Sequence, residues 1–482
     1  MTVRAGLRSL TSNAANLWAS NMLTTSTRVV YIIVLARSFG PELYGLLAYA
    51  QSWALALLPL TTFGLGMFLS REVGRAGTDR AAIANRTLGM AIAFTSLTVT
   101  LGILAGWLLE SEADQKALVV VFCLGLIGRG LSNWCNGMFV ACESTRFALL
   151  QAIYFRPLEV VLGLIVVLSG RDILDVALVH LISWWIQAAA SLLVVHRNLV
   201  PLRPTLDWAD TRREIRVAGV LGFGLFLSGW LLQSPVVLFK HLSPDSTELG
   251  LLALAVQILA ILSTVPQSVG AAALPLLSRA ADRGDTANNE YLRVMLRASI
   301  VIGSAIALSG MALSPALIPL IFGASYIPAS ELVGLILWLL ILMGISAGAS
   351  SILLAHRKDR TLAMSAFMGA LTIAATVQVF LDNWGTAGVV LSAALGLTVH
   401  AGWRLVAVLS IEKISLWKNL AMPLLCAMSA LGTFISLNNI SPIGSLAASL
   451  LVLLGAVVIG GVISPLERSA ISGFTRKLLR SN

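Results

Sequence analysis

Apolar runs of about 18–25 residues, each long enough to cross the hydrocarbon core of a bilayer as a helix, follow one another along almost the whole chain. Fourteen can be marked, at about 13–37, 45–69, 83–109, 117–141, 149–169, 175–196, 217–240, 249–275, 297–322, 331–355, 361–381, 386–409, 419–437 and 443–464. Only 12% of the 482 residues are charged, against about 25% in a soluble domain. Too few charges remain to coat a water-facing surface. In a bilayer the backbone must satisfy its own polar groups, which a helix does within itself. A membrane barrel would show alternating segments of about ten residues, and the sequence has no such alternation. The expected fold is an all-α, polytopic membrane protein with about fourteen transmembrane helices.

The net charge of +10 would suggest nucleic acid in a soluble chain. Here the placement of the charges explains it, and no nucleic-acid partner is expected. Alternate inter-run loops hold 25 Lys and Arg residues, among them Arg71, Arg75, Arg80, Arg212, Arg213, Arg279, Arg283, Arg357, Lys358 and Arg476. The opposite loops hold four: Arg37, Lys116, Arg171 and Lys240. Basic loops stay in the cytoplasm, so both termini are expected there, as an even number of spans requires. Met1–Asn21 carries Arg4 and Arg8 but no smooth apolar core, so no removable signal is expected. Cys123, Cys135, Cys142 and Cys426 all fall in apolar runs, without metal or disulfide spacing.

The chain looks duplicated. Gly45-Leu46-Leu47-Ala48 follows the first run and Gly250-Leu251-Leu252-Ala253 the seventh, an offset of 205 residues. Arg37 and Lys240 close the preceding runs, and Ser70-Arg71 and Ser278-Arg279 follow the next ones. Six spans per repeat is an even number, so both repeats share one topology, as parallel repeats of transporters do. The expected organisation is two pseudo-symmetric six-helix lobes, residues 1–197 and 217–411. A cytoplasmic linker would occupy 198–216, and 412–482 would add two helices and a tail. The longest polar stretch, His196–Arg216, contains Pro201, Pro204 and a Trp208–Arg216 segment expected to form a short interfacial helix.

Three motifs carry a family resemblance. Ala36-Arg37-Ser38-Phe39-Gly40-Pro41-Glu42-Leu43-Tyr44-Gly45, between the first two runs, resembles the N-terminal signature of Wzx-type polysaccharide flippases. These belong to the multidrug/oligosaccharidyl-lipid/polysaccharide exporter superfamily. Phe63-Gly64-Leu65-Gly66 with Ser70-Arg71-Glu72 resembles the second span and first loop of that family. Phe322-Gly323-Ala324-Ser325-Tyr326 resembles its loop after the ninth span. The resemblance implies a V-shaped cavity between two lobes, alternating access, and a bacterial inner-membrane location. It implies a cargo of undecaprenyl pyrophosphate bearing a sugar repeat unit. A polysaccharide polymerase and a chain-length regulator are the partners such a role suggests.

Charged groups within the runs need a reason, since one at mid-bilayer costs about 2.5–3.5 kcal/mol on insertion scales. Arg28 lies on a polar stripe, Asn13, Asn16, Ser20, Thr24, Arg28 and Tyr31, with the three- and four-residue steps of one helix face. Arg129, Asn133 and Asn136 repeat this in the fourth run. Either stripe suits a wet cavity or an internal hydrogen-bond network. Arg156 and Glu159 flank Pro157 at an i, i+3 spacing that permits pairing. His180, and His400 with Arg404, complete the set; Arg404 is near enough to a run end to snorkel. Gln257, Thr264 and Gln267 mark a mild polar face in the eighth run, and Lys240 fits an interfacial anchor. Arg28, Arg129, Arg156 and Arg404 against Glu159 alone describe a cationic interior suited to pyrophosphate. Glu159, His180 and His400 are candidates for ion coupling. Trp18, Trp107, Trp208, Trp384 and Trp417 fit an interfacial belt, while Trp134 and Trp338 could stack on sugar.

The sequence has no phosphate-binding glycine loop, no metal-ligand cluster and no long external segment. No cofactor and no enzymatic activity are therefore expected. A peptidoglycan-precursor (lipid II) flippase is an alternative on the same scaffold. A cation-coupled multidrug exporter of the superfamily is another, although that chemistry wants intramembrane carboxylates.

Overall fold

A computed structural model describes residues 3–73, 79–206, 208–284, 286–439 and 441–459. Arg75, Arg468, Arg476, Lys477 and Arg480 lie outside the described residues, as do the side chains of Arg4, Arg8 and Trp208. All regular structure among the described residues is helical. The elements are α1 (Val3–Thr62), α2 (Leu65–Glu72), α3 (Arg80–Leu109), α4 (Ala113–Ala141), α5 (Arg146–Leu168), α6 (Ile173–Asn198) and α7 (Trp208–Leu242). They continue with α8 (Ser246–Arg283), α9 (Ala287–Phe322), α10 (Ala329–Ile336), α11 (Leu339–Ala355), α12 (Asp359–Leu409), α13 (Met422–Leu437) and α14 (Pro442–Ile459).

Twelve helices among the described residues are long and apolar enough to cross a membrane, not fourteen. The difference is one of continuity. α1 has 60 residues and α12 has 51, and each joins two apolar runs through one glycine. Gly40 (φ 70°, ψ 175°) and Gly385 (φ 58°, ψ −144°) sit in backbone regions that side chains disfavour. At Gly385 the chain reverses. Gly388 lies against the Phe380 carbonyl, Ser392 meets Thr376 at 2.8 Å, and Gly396 meets the Gly369 carbonyl. The two limbs of α12 thus pack antiparallel. Gly385→Ala should cost about 1–3 kcal/mol, because no L side chain fits that conformation. Gly402→Ala, helical and in open space, should instead be neutral or stabilising. Thermal unfolding of the two variants in detergent checks the contrast.

The chain forms two compact units. Unit 1 is Met1–Gln257 with Ile321–Tyr326 and Leu362–Gly396; unit 2 is Ile258–Leu320, Ile327–Thr361 and Leu397–Asn482. In unit 1, α1 packs along α5, with Asn13 at Thr145, Ser20 at Ala148 and Tyr31 at Gly163. α4 packs along α6, with the Trp184 backbone against Gly128 and Trp185 Nε1 donating to the Leu124 carbonyl at 3.0 Å. Two of the sequence motifs meet here. Tyr326, fully buried, donates to the Ala36 carbonyl at 3.1 Å and stands edge-on to Tyr44. The Ala36–Gly45 and Phe322–Tyr326 motifs therefore build structure around the Gly40 break. The Phe63-Gly64 motif is a second break: both residues have positive φ, and Gly222 of α7 packs on the Phe63 backbone.

The glycines of the repeated Gly-Leu-Leu-Ala match touch one another. A Cβ on Gly45 would lie 2.6 Å from Gly250 N and 2.7 Å from Ser246 O. A Cβ on Gly250 would lie 1.8 Å from Pro41 O. Both pairs, 45 with 250 and 41 with 246, keep the 205-residue offset. The contact is reciprocal, as a local two-fold axis demands.

The linker corrects one expectation. Trp208–Arg216 is the start of α7 itself and not a separate interfacial helix. The residues before it are pinned to α3: Arg203 N donates to Asn85 Oδ1 at 2.7 Å and Thr205 N to the Asn85 carbonyl at 3.1 Å. In unit 2, α9 packs antiparallel to α10 and α11, with Gly310 at Leu337, Gly303 at Ile341 and Met295 at Gly348. α13 and α14 bury Cys426, Ala430, Phe434, Leu453 and Val457 against Leu308 and Ala312 of α9. Trp18, Trp107, Trp384 and Trp417 are exposed.

Candidate functional site

The interior of unit 1 holds the polar residues that the runs could not hide. α5 contributes Arg156 and Glu159, 8% and 6% exposed, on either side of Pro157. Arg156 Nη1 donates to Glu159 Oε2 at 2.5 Å, so the i, i+3 pair forms. Arg156 also donates to Gln187 Oε1 of α6, and its guanidinium lies 4.0 Å from the ring centroid of Trp184. His180 Nδ1 meets the other Glu159 oxygen at 2.6 Å. One carboxylate thus bridges a guanidinium and an imidazole, which satisfies all three groups where water is scarce.

Arg129 of α4 reaches the same Trp184 ring. Its guanidinium lies 4.9 Å from that ring, a cation–π stacking distance. Among the described residues it makes no hydrogen bond or ion pair; Arg28, Arg156 and Glu159 are the charges that act on it. Arg28 of α1 donates to Gln257 Oε1 of α8, a neutral acceptor. Tyr31, one turn on, presses its ring against Gly163 of α5, and its hydroxyl is buried without a hydrogen-bond partner among the described residues. Three guanidiniums therefore share one interior with a single carboxylate, an excess of two positive charges. Among the described residues Asn136 Oδ1, Gln151, Ser183 Oγ and Trp184 Nε1 are likewise buried without hydrogen-bond partners. Unpaired buried polar atoms each cost about 1–3 kcal/mol. Asn133 is partly buried on the same helix as Arg129.

Arg404, His400, Thr264, Gln267 and Trp338 fall in unit 2. Arg404 is buried and donates to Ser346 Oγ of α11 at 2.9 Å, so it does not snorkel to the membrane surface. His400 is buried one turn away. Thr264 and Gln267 spend their polar groups within α8, on the Ile261 carbonyl and on Ser263. Trp134 is not placed to stack on sugar: it is fully buried and donates to Thr87 Oγ1 at 3.2 Å. Trp338 donates to Met311 Sδ at 3.3 Å and packs on the α13–α14 cluster. Two residues of the site were not singled out in the sequence, Trp184 and Gln187. The available signal was the buried series His180, Ser183, Gln187 and Ser191, whose steps of three, four and four trace one face of α6.

Known proteins share this architecture. The profile of the family described as polysaccharide biosynthesis protein matches residues 10–281, more than half of the chain. Among solved structures the chain is similar to lipid II flippase MurJ in an inward closed conformation. That match has a TM-score of 0.69 and 16% identity, and covers 95% of this chain and 99% of the other. The eukaryotic MATE transporter AtDTX14 gives a TM-score of 0.57 at 15% identity, covering 84% and 96%. The MATE multidrug transporter DinF-BH in complex with R6G gives 0.59 at 15%, covering 84% and 95%. At these identities the likeness is one of fold. No curated protein matches the chain significantly.

Proposed function

We propose, for a chain that belongs to the polysaccharide biosynthesis protein family, that it is a flippase for a lipid-linked oligosaccharide. It carries an undecaprenyl-pyrophosphate-linked glycan from the cytoplasmic to the periplasmic leaflet of the bacterial inner membrane by alternating access. O-antigen, exopolysaccharide or capsule assembly would consume the product, through a polymerase and a chain-length regulator. Both termini are cytoplasmic in this reading, and the chain performs transport and no catalysis.

The observation that carries the reading is the uncommitted charge in unit 1. Among the described residues Arg129 stacks on Trp184 with its donors unspent, and the hydrogen bond that Arg28 makes is to a neutral amide. A guanidinium fork binds phosphate oxygens bidentately, and an excess of positive charge draws anions from solution. Tyr31, Asn133 and Asn136 are the proposed hydrogen-bond partners of the headgroup. Arg404, in unit 2, has the same preference for an anion. Glu159 with His180, and His400, are positions where a proton would change the charge of the interior. The cation-coupled drug exporter fits less well, because Glu159 is already held by Arg156 and His180.

The test is depletion of the protein followed by mass analysis of undecaprenyl-linked glycans. The expected result is accumulation of a complete repeat unit, protected from an external glycan-modifying enzyme. An unchanged lipid-linked pool refutes the flippase. Arg28→Ala and Arg129→Ala should each lower complementing transport about tenfold or more, since a hydrogen bond to a charged group is worth about 1.5–3 kcal/mol. Both variants should insert and purify as the wild type does. Lysine should restore part of the activity, keeping the charge and losing the fork.

A further inference from the structure

Away from the arginines, unit 1 buries a second titratable cluster. Tyr49 comes from the limb of α1 after Gly40, Glu110 is the residue that ends α3, and His241 lies in the last turn of α7. Tyr49 Oη donates to Glu110 Oε1 at 2.5 Å and lies 3.1 Å from His241 Nε2. His241 Nε2 is 3.9 Å from the same carboxylate oxygen. Tyr49 is fully buried and Glu110 is 7% exposed, whereas the His241 side chain is 26% exposed. Tyr49 and Trp53 pack edge-on against the imidazole.

The donors fix the direction of this chain. A phenol has one O–H, and Tyr49 spends it on Glu110. Its oxygen must then accept from His241, so Nε2 carries a hydrogen. The result is an unbroken line from a partly wet imidazole to a buried carboxylate. The neighbouring charged and titratable groups are few. Lys240 precedes His241 and Cys123 of α4 faces Tyr49. The first turn of α4 brings Glu112, Asp114 and Lys116, of which Lys116 lies over Trp107 at 5.1 Å.

We propose that Glu110 is a proton-binding site, loaded through His241 and Tyr49 from the face opposite the basic loops. The step balances. A proton from water binds His241 Nδ1; the Nε2 proton passes to Tyr49 Oη; the phenolic proton passes to Glu110. Glu110 ends neutral, and His241 ends neutral as its other tautomer. This site is distinct from Glu159, whose charge is already compensated. Assigning its open side to the periplasm rests on the orientation proposed above.

The test uses the full-length purified protein in lipid, without cargo, and infrared difference spectra between about pH 3 and pH 8. The expected result is the carbonyl stretch of a protonated, buried carboxyl on acidification. Glu110→Gln should remove that band and Glu159→Gln should retain it. Tyr49→Phe withdraws a donor from the carboxylate, and His241→Phe withdraws the imidazole N–H that polarises that donor, so both should move the midpoint to higher pH. A band that survives Glu110→Gln overturns the proposal, as does a wild type without one, or a midpoint unmoved by both neighbour variants. The glycan analysis is independent of every one of these spectra, so the two readings fail separately.

Discussion

Gly250→Ala should leave little folded protein. A methyl group there would sit 1.8 Å from the Pro41 carbonyl oxygen, inside any van der Waals contact, and backbone lies on both sides. No rotamer change can relieve the clash. Either α8 moves away from the Gly40 break or the helix distorts. Inserting a methylene into a packed core ordinarily costs about 1–3 kcal/mol, and a backbone obstacle belongs at or above the top of that range. The measurement is the fraction of protein recovered as a monodisperse species after detergent extraction, with its unfolding temperature. Gly45→Ala should act in the same direction but less, because its nearest obstacle is 2.6 Å away. Wild-type recovery and unfolding of Gly250→Ala would mean that the two backbones are not in contact.

Glu159→Ala should destabilise unit 1 by about 3–5 kcal/mol, the usual result of removing one partner from a buried ion pair. The loss leaves Arg156 and His180 facing each other without the carboxylate that joins them. The double variant Arg156→Met with Glu159→Leu should regain most of that stability, since apolar replacement of a whole buried pair is often neutral or better. It should not regain transport, because a guanidinium of the cationic interior is gone. Unfolding curves for Arg156→Met, Glu159→Leu and the double give the coupling energy directly. If the double variant transports, Arg156 serves packing alone.

The hydropathy pattern made the spans legible because a bilayer imposes length and composition together. It could not show where two runs share one helix. The Asp382–Gly385 segment reads as a loop, and only the backbone angles reveal a helix interrupted at a single residue. Charges within runs were legible for the same reason: each is expensive enough to be conspicuous. The Arg156–Glu159 pair followed from spacing on one helix. The convergence of Arg28, Arg129 and Arg156 did not, since it depends on how α1, α4 and α5 meet. Glu110 escaped notice because it stands at the edge of a run, where a charge looks like ordinary loop. Trp134, which could be read either way, is plain core: it is fully buried and donates to Thr87.

The reciprocal glycine contact ties two distant stretches of sequence to one constraint. A residue on the seam of a homodimer meets its own copy, and one substitution there is felt twice. In this chain the facing positions carry different numbers, so each can change alone. Pro41 faces Gly250 and Ser246 faces Gly45, and these facing positions differ while neither glycine has room for a larger residue. An interface between subunits dissolves on dilution. This one, made within a single chain, is independent of concentration.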